Sequence, residues 1–227
     1  MGLFSRKRNL EQDSVIELQD TAVEVAEDAK TPAVPEVENV AVDLRATTGP
    51  FDYAEAETLE GLVDAGALLL PIVPEMKLQF TLDAAQTSVI GVVYLHNDSA
   101  LQLQAFAAPK NKGIWDQVRL DMRTAIAGQG GSSQEITGPF GKELQARMPL
   151  PNTQDFAPHR FFGVDGPRWL LRGSLYGRAG VDENAAKPLL DVFRKVVVNR
   201  GNLPFPPREL LPMSIPKVPG LESKSAD

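Results

Sequence analysis

Cysteine is absent from the 227 residues. That removes disulfides, thiol nucleophiles and every cysteine-ligated metal site together. It fits a reducing compartment, and the start of the chain carries no secretory pattern: Arg6-Lys7-Arg8 runs into Asn9 and an acidic stretch instead of an apolar one. Both point to the cytoplasm. Histidine is nearly as scarce. His96 and His159 lie far apart and neither sits in a His-x-x-x-His or His-Glu pattern, so a zinc site would have to be assembled from scattered carboxylates. Long apolar runs are missing too. The richest, Ala65 to Val73, is broken by Gly66 and Pro71 and falls far short of a membrane span, which excludes a membrane role of that kind.

Catalytic signatures are also wanting. Glycines cluster from Gly128 to Gly141, but Lys142 is followed by Glu143 instead of Ser or Thr, and Ile136 stands where a phosphate loop needs its first glycine. The cluster reads better as a helix stop and a turn. No serine occupies a Gly-x-Ser-x-Gly elbow. Paired carboxylates are plentiful, mostly in the N-terminal stretch, where no rigid scaffold would hold their geometry. The expectation is therefore no catalytic residue set, no metal and no cofactor.

What is present is an uneven charge. The net value is −7, yet residues 9–100 hold 18 acidic and 3 basic residues, whereas residues 106–211 hold 10 acidic and 15 basic. Residues 9–48 lack aromatics and the apolar density needed to offset ordering entropy, about 1–2 kcal/mol per residue of backbone, and the first 48 residues are expected to form a disordered acidic tail. One domain is expected over 49–213, followed by a flexible tail over 214–227.

Within that domain the periodicity is informative. Lys77 to Leu82 alternates, Ser88 to His96 is β-rich, and Ala100 to Ala107 alternates again, with Asn97-Asp98-Ser99 as a turn between them. These three strands predict an antiparallel meander. Leu68 to Leu70 is a further short strand. Ile114, Trp115, Val118, Met122, Ala125 and Ile126 recur at helical spacing, with Asp116, Arg119, Asp121 and Arg123 on the other face. Gly138-Pro139-Phe140-Gly141 marks a turn between strands. Asp165-Gly166 predicts a hairpin turn joining Arg160–Val164 to Arg168–Tyr176. A second helix is predicted from Asp182 or Glu183 to Val198. Leu210, Leu211 and Met213 would pin the proline-rich end to the body. The sum is an α+β domain: a mostly antiparallel sheet of about seven strands packed with two main helices.

Trp115 and Trp169 have the rings to stack a nucleobase, but both fall on apolar stripes and read as core. The candidate binding residues are Arg168, Arg172 and Tyr176 on the polar face of one strand, joined by Arg160 on the paired strand. Guanidinium groups gathered there would clamp an anion or a partner's carboxylate.

The segments Asp98 to Pro109, Gly113-Ile114-Trp115, Gly138 to Gly141 and Gly163 to Trp169 resemble an actinobacterial family, domain of unknown function 3710, over about residues 49–213. The resemblance implies no activity and no catalytic residue. The order of strands and helices is also similar to the sandwich of PsbP-like proteins, a likeness of fold alone. The leading expectation is a non-enzymatic binding or adaptor module with an unidentified protein partner or anionic ligand. The basic C-terminal half keeps a nucleic-acid or nucleotide-binding protein in view, and an enzyme with a dispersed site is the third reading.

Overall fold

The structure is a computed structural model that describes residues 48–216. Apart from residues 48 and 214–216, the two expected tails lie outside the described residues. Eleven strands and two α-helices follow in order: β1 (Phe51–Asp52), β2 (Leu62–Asp64), β3 (Leu68–Pro71), β4 (Lys77–Leu82), β5 (Val89–His96), β6 (Ser99–Ala107), α1 (Trp115–Gly128), β7 (Ser132–Gly138), β8 (Gly141–Pro149), β9 (Phe156–Gly166), β10 (Trp169–Gly177), α2 (Glu183–Arg194) and β11 (Val197–Val198). Strands β4 to β10 form one antiparallel sheet in the order β4-β5-β6-β10-β9-β8-β7. The class is α+β, and the β4-β5-β6 meander falls where alternation predicts it.

The sheet is packed on both faces. On one, Leu101, Leu103 and Ala105 of β6, Leu171 and Leu175 of β10 and Phe162 of β9 are buried against Leu189, Leu190 and Phe193 of α2. Each such side chain contributes about 1.5–3 kcal/mol by leaving water. Helix α2 begins at Asp182, whose carboxylate accepts from the Asn184 N–H at 2.8 Å, a side-chain N-cap. It ends four residues before the predicted Val198. Val196, Val197 and Val198 are β-branched and disfavour a helix, and Val197-Val198 instead pairs in parallel with β1 and antiparallel with β3. A small sheet, β1-β11-β3-β2, results. Only its β3 is legible from sequence, because strands of two or three residues carry no period. Leu211 and Met213 are buried against the body, and Met213 bridges to Gly66 and Val89.

On the other face α1 lies over β7, β8 and β9. Trp115, Met122 and Ile126 pack on Leu144, Ala146, Met148 and Phe161. Arg119, placed on the solvent side by periodicity, is in fact 3% exposed and is held by Asp116 at 2.6 Å and Glu135 at 2.8 Å. The β9–β10 turn also departs from expectation. Asp165 and Gly166 are in β9, and the turn is Pro167-Arg168, with Arg168 at φ 64°. Gly166 is needed for space, since a Cβ there would lie 2.1 Å from the Trp169 ring. Asp165 instead caps α1, accepting from the Ile114 N–H at 2.8 Å and the Trp115 N–H at 3.1 Å.

Candidate functional site

Strand register decides which of the four sequence candidates meet. Leu175 lies opposite Arg160, whereas Arg172 lies opposite Gly163 and Gln104, and Tyr176 opposite His159. Directly paired residues share a face. Arg160 is therefore on the α2 side, with Leu175, while Arg172 and Tyr176 are on the α1 side. Arg168 is in the turn and exposed. The expected single cluster is not formed: Arg168 is in the turn instead of on the strand, and a two-residue turn at either 165–166 or 167–168 pairs Arg160 with an odd-numbered residue of β10, on the face opposite to Arg172.

Arg160 is 3% exposed and already has its anions: Glu143 at 2.5 Å and Glu183 at 2.6 Å. Glu143 is fully buried, and burial raises its pKa against the opposing pull of Arg160. Arg178, Arg194 and Arg208 are likewise paired, with Asp182, Asp191 and Asp121.

Arg172 is different. Among the described residues no carboxylate lies within ion-pair distance of its half-buried guanidinium. Its NH2 donates to Gln104 Oε1, its NH1 has only the Met122 sulfur at 3.9 Å, and its Nε–H is buried without a partner. The Phe106 ring lies beneath it, 4.9 Å from Cζ to the ring centroid. Burial works against its charged form and lowers its pKa. An amide, a thioether and a ring face offset only part of the cost of taking such a charge out of water, which reaches several kcal/mol per ion. Arg200 is also free of carboxylates among the described residues. Its NH1, however, donates to the Leu203 carbonyl and its guanidinium lies 5.5 Å from the Phe205 ring centroid, so it closes its own loop.

The neighbours of Arg172 are arranged to leave it room. A Cβ at Gly163 would fall 2.6 Å from the Trp115 ring, so glycine lets the indole lie beside the arginine's strand. Gly91 lets Gln104 lie flat across β5 and donate to the Ile90 carbonyl at 3.0 Å. Tyr176 donates to Gln102 Oε1 at 2.8 Å, and burial raises the phenol's pKa. His159 meets the Tyr176 ring edge-on at 4.8 Å. Its Nδ1 faces the Ala157 carbonyl at 3.1 Å, so the proton belongs there and the buried, unpartnered Nε2 is an acceptor. Burial lowers the pKa of this ring.

Beyond Gln102 and Gln104 the same face continues across β5 and β4 through Val93, Leu95, Gln79 and Lys77. Val93 and Leu95 are half-buried, and Gln79 and Lys77 are exposed. Helix α1 lies mainly over β7, β8 and β9, and its Met122 reaches Arg172 of β10. The two glutamines were legible only as the polar side of an alternating strand; that they flank Arg172 depends on the β6–β10 register.

Two clefts lie elsewhere. One of about 350 Å³ includes Lys110, Lys112 and Asp165, and one of about 420 Å³ includes His96, Asp98 and Arg178. In the first, Asp165 is committed to capping α1. Among the described residues no group of three or more His, Asp or Glu is placed to hold a metal, and no helix is long and apolar enough to cross a membrane.

The fold is thus an α+β domain whose large sheet has one helix-covered and one uncovered half on the α1 side. The chain belongs to the family described as "Protein of unknown function (DUF3710)", whose profile matches residues 49–220. No curated protein matches it in sequence.

Proposed function

We propose that the protein is a non-enzymatic binding module that uses the sheet face at the edge of α1, from Arg172 and Tyr176 out to β5 and β4, to hold an anionic group of a partner. The observation that carries this is the half-buried guanidinium without a described carboxylate. Five other arginines of the C-terminal half are neutralised within the fold, and Arg200, with no described carboxylate, is held by a backbone carbonyl instead. A desolvated charge left open costs stability, and a binding role is a reason to keep it.

The same pairing weakens the nucleic-acid reading, which needs cations free to displace counter-ions from phosphates. An enzymatic reading has less support still, since the groups around Arg172 are amides, a phenol and a buried neutral imidazole with no nucleophile among them. On the composition described above, the module works in the cytoplasm.

The test is photo-crosslinking in the cells that make the protein, with a benzophenone side chain at exposed Gln79 and, as a control, at exposed Glu60 of the opposite layer. A discrete adduct from Gln79 that is lost with Arg172→Gln supports the reading. The same adducts from both positions, or none from Gln79, overturn it.

A further inference from the structure

Resting on the proposal that this face binds, we infer that its ligand is a single carboxylate on an acidic segment of another protein. The first argument is geometric. Arg172 stands half-buried on a strand face at the edge of α1 and lines neither of the two clefts described above. Small ligands are held by concave sites that bury most of their surface, whereas a flat strand face is met by another protein's surface.

The second argument is charge stoichiometry. Gln104, Gln102, Met122 and Tyr176 around Arg172 are all neutral side chains. Lys77, the next cation along this face, is three strands and four residues away, roughly 20 Å from strand spacing and rise, beyond a Debye length. The spot therefore carries a charge of one. A carboxylate returns it to neutrality. A phosphate monoester, at about −1.5 to −2, would leave an excess negative charge among acceptor atoms.

The third argument is the arrangement of donors. A carboxylate fits the guanidinium fork with two parallel hydrogen bonds. The NH1 group has only a sulfur at 3.9 Å, a weak acceptor, and NH2 is occupied by the neutral Gln104 Oε1. Gln104 acts as the placeholder that an incoming carboxylate displaces. Half-buried Phe106, Val93 and Leu95 alongside favour a segment in which the acidic residue alternates with apolar ones.

This yields a specific variant. Gln104→Glu puts a resident carboxylate against NH2 and should close the site, at the expense of the bond from Gln104 Nε2 to Ile90. The probes are three short extended peptides that alternate valine with glutamate, with glutamine or with phosphoserine. The readout is the arginine side-chain N–H signal of Arg172 by NMR in the full chain. The glutamate peptide should shift that signal, the glutamine peptide should leave it in place, and Gln104→Glu should weaken binding by about tenfold or more, a difference of about 1.4 kcal/mol. An unchanged fold in Gln104→Glu is checked by its amide spectrum, and if it is disturbed, Arg172→Lys replaces it, with weaker binding of the glutamate peptide expected from loss of the bidentate contact and read from the backbone amide shifts of β6 and β10. Tighter binding of the phosphoserine peptide overturns the carboxylate assignment. So does an unmoved Arg172 signal with all three. Either result leaves the crosslinking outcome at Gln79 to decide separately whether the face binds at all.

Discussion

Trp169→Ala tests the link between the two sheets. Trp169 is fully buried at the start of β10, within the cluster that joins the large sheet to α2 and the small sheet. Its indole N–H donates to Asp52 Oδ2 at 2.7 Å, and Asp52 is the β1 residue that pairs with Val198. Deleting a buried tryptophan costs about 3–5 kcal/mol through lost transfer and the cavity left behind. Removing the donor from a half-buried carboxylate puts the value at the upper end, since hydrogen bonds to charged groups are worth about 1.5–3 kcal/mol. Set against a typical total of about 5–15 kcal/mol, the variant is severely weakened. Trp169→Phe separates the contributions: it keeps most of the packing, loses the N–H, and should cost about 1.5–3 kcal/mol. Urea unfolding followed by far-ultraviolet circular dichroism gives both numbers, with the slope on denaturant as the check that the unfolded states match. A Trp169→Ala midpoint within about 1 kcal/mol of the parent would refute the core assignment and the link to Asp52.

Burial lowers the pKa of His159 in the folded state, so between that lowered value and the ordinary one near 6.5 the unfolded chain binds more protons. The advantage is complete above about pH 6.5 and is lost as pH falls through the folded value. His159→Phe, which keeps a ring against Tyr176, should flatten the decline of stability below about pH 6.5; parallel pH curves for parent and variant would sink this. Asp165→Ala removes the cap delivered to α1 from the β9–β10 hairpin and should cost about 0.5–2 kcal/mol by thermal unfolding, with Asp165→Asn closer to the parent. No loss in Asp165→Ala would mean that water caps the helix equally well.

The sequence by itself determined whatever repeats along the chain. Alternation at Lys77–Leu82 and at Ser99–Ala107 and the helical period from Trp115 to Ile126 place strand and helix because a buried face must recur at two or at about 3.6 residues. It likewise marked Trp115 and Trp169 as interior, and both are at most 5% exposed. Only the tertiary structure decided the rest. Val197-Val198 is a strand because Phe51-Asp52 and Leu68-Leu69 lie on either side to receive its hydrogen bonds, a demand that no local period records. Asp-Gly at 165–166 has the composition of a turn, yet Gly166 makes space for Trp169 and Asp165 caps a helix about fifty residues earlier in the chain. That displacement moved Arg168 off the strand, and the pairing of Arg160 with Leu175 puts it on the opposite face from Arg172, so four candidates became two. Whether an arginine is neutralised depends on which carboxylate the folded chain brings within about 4 Å, and that separates Arg160, held between Glu143 and Glu183, from Arg172, which has an amide in their place.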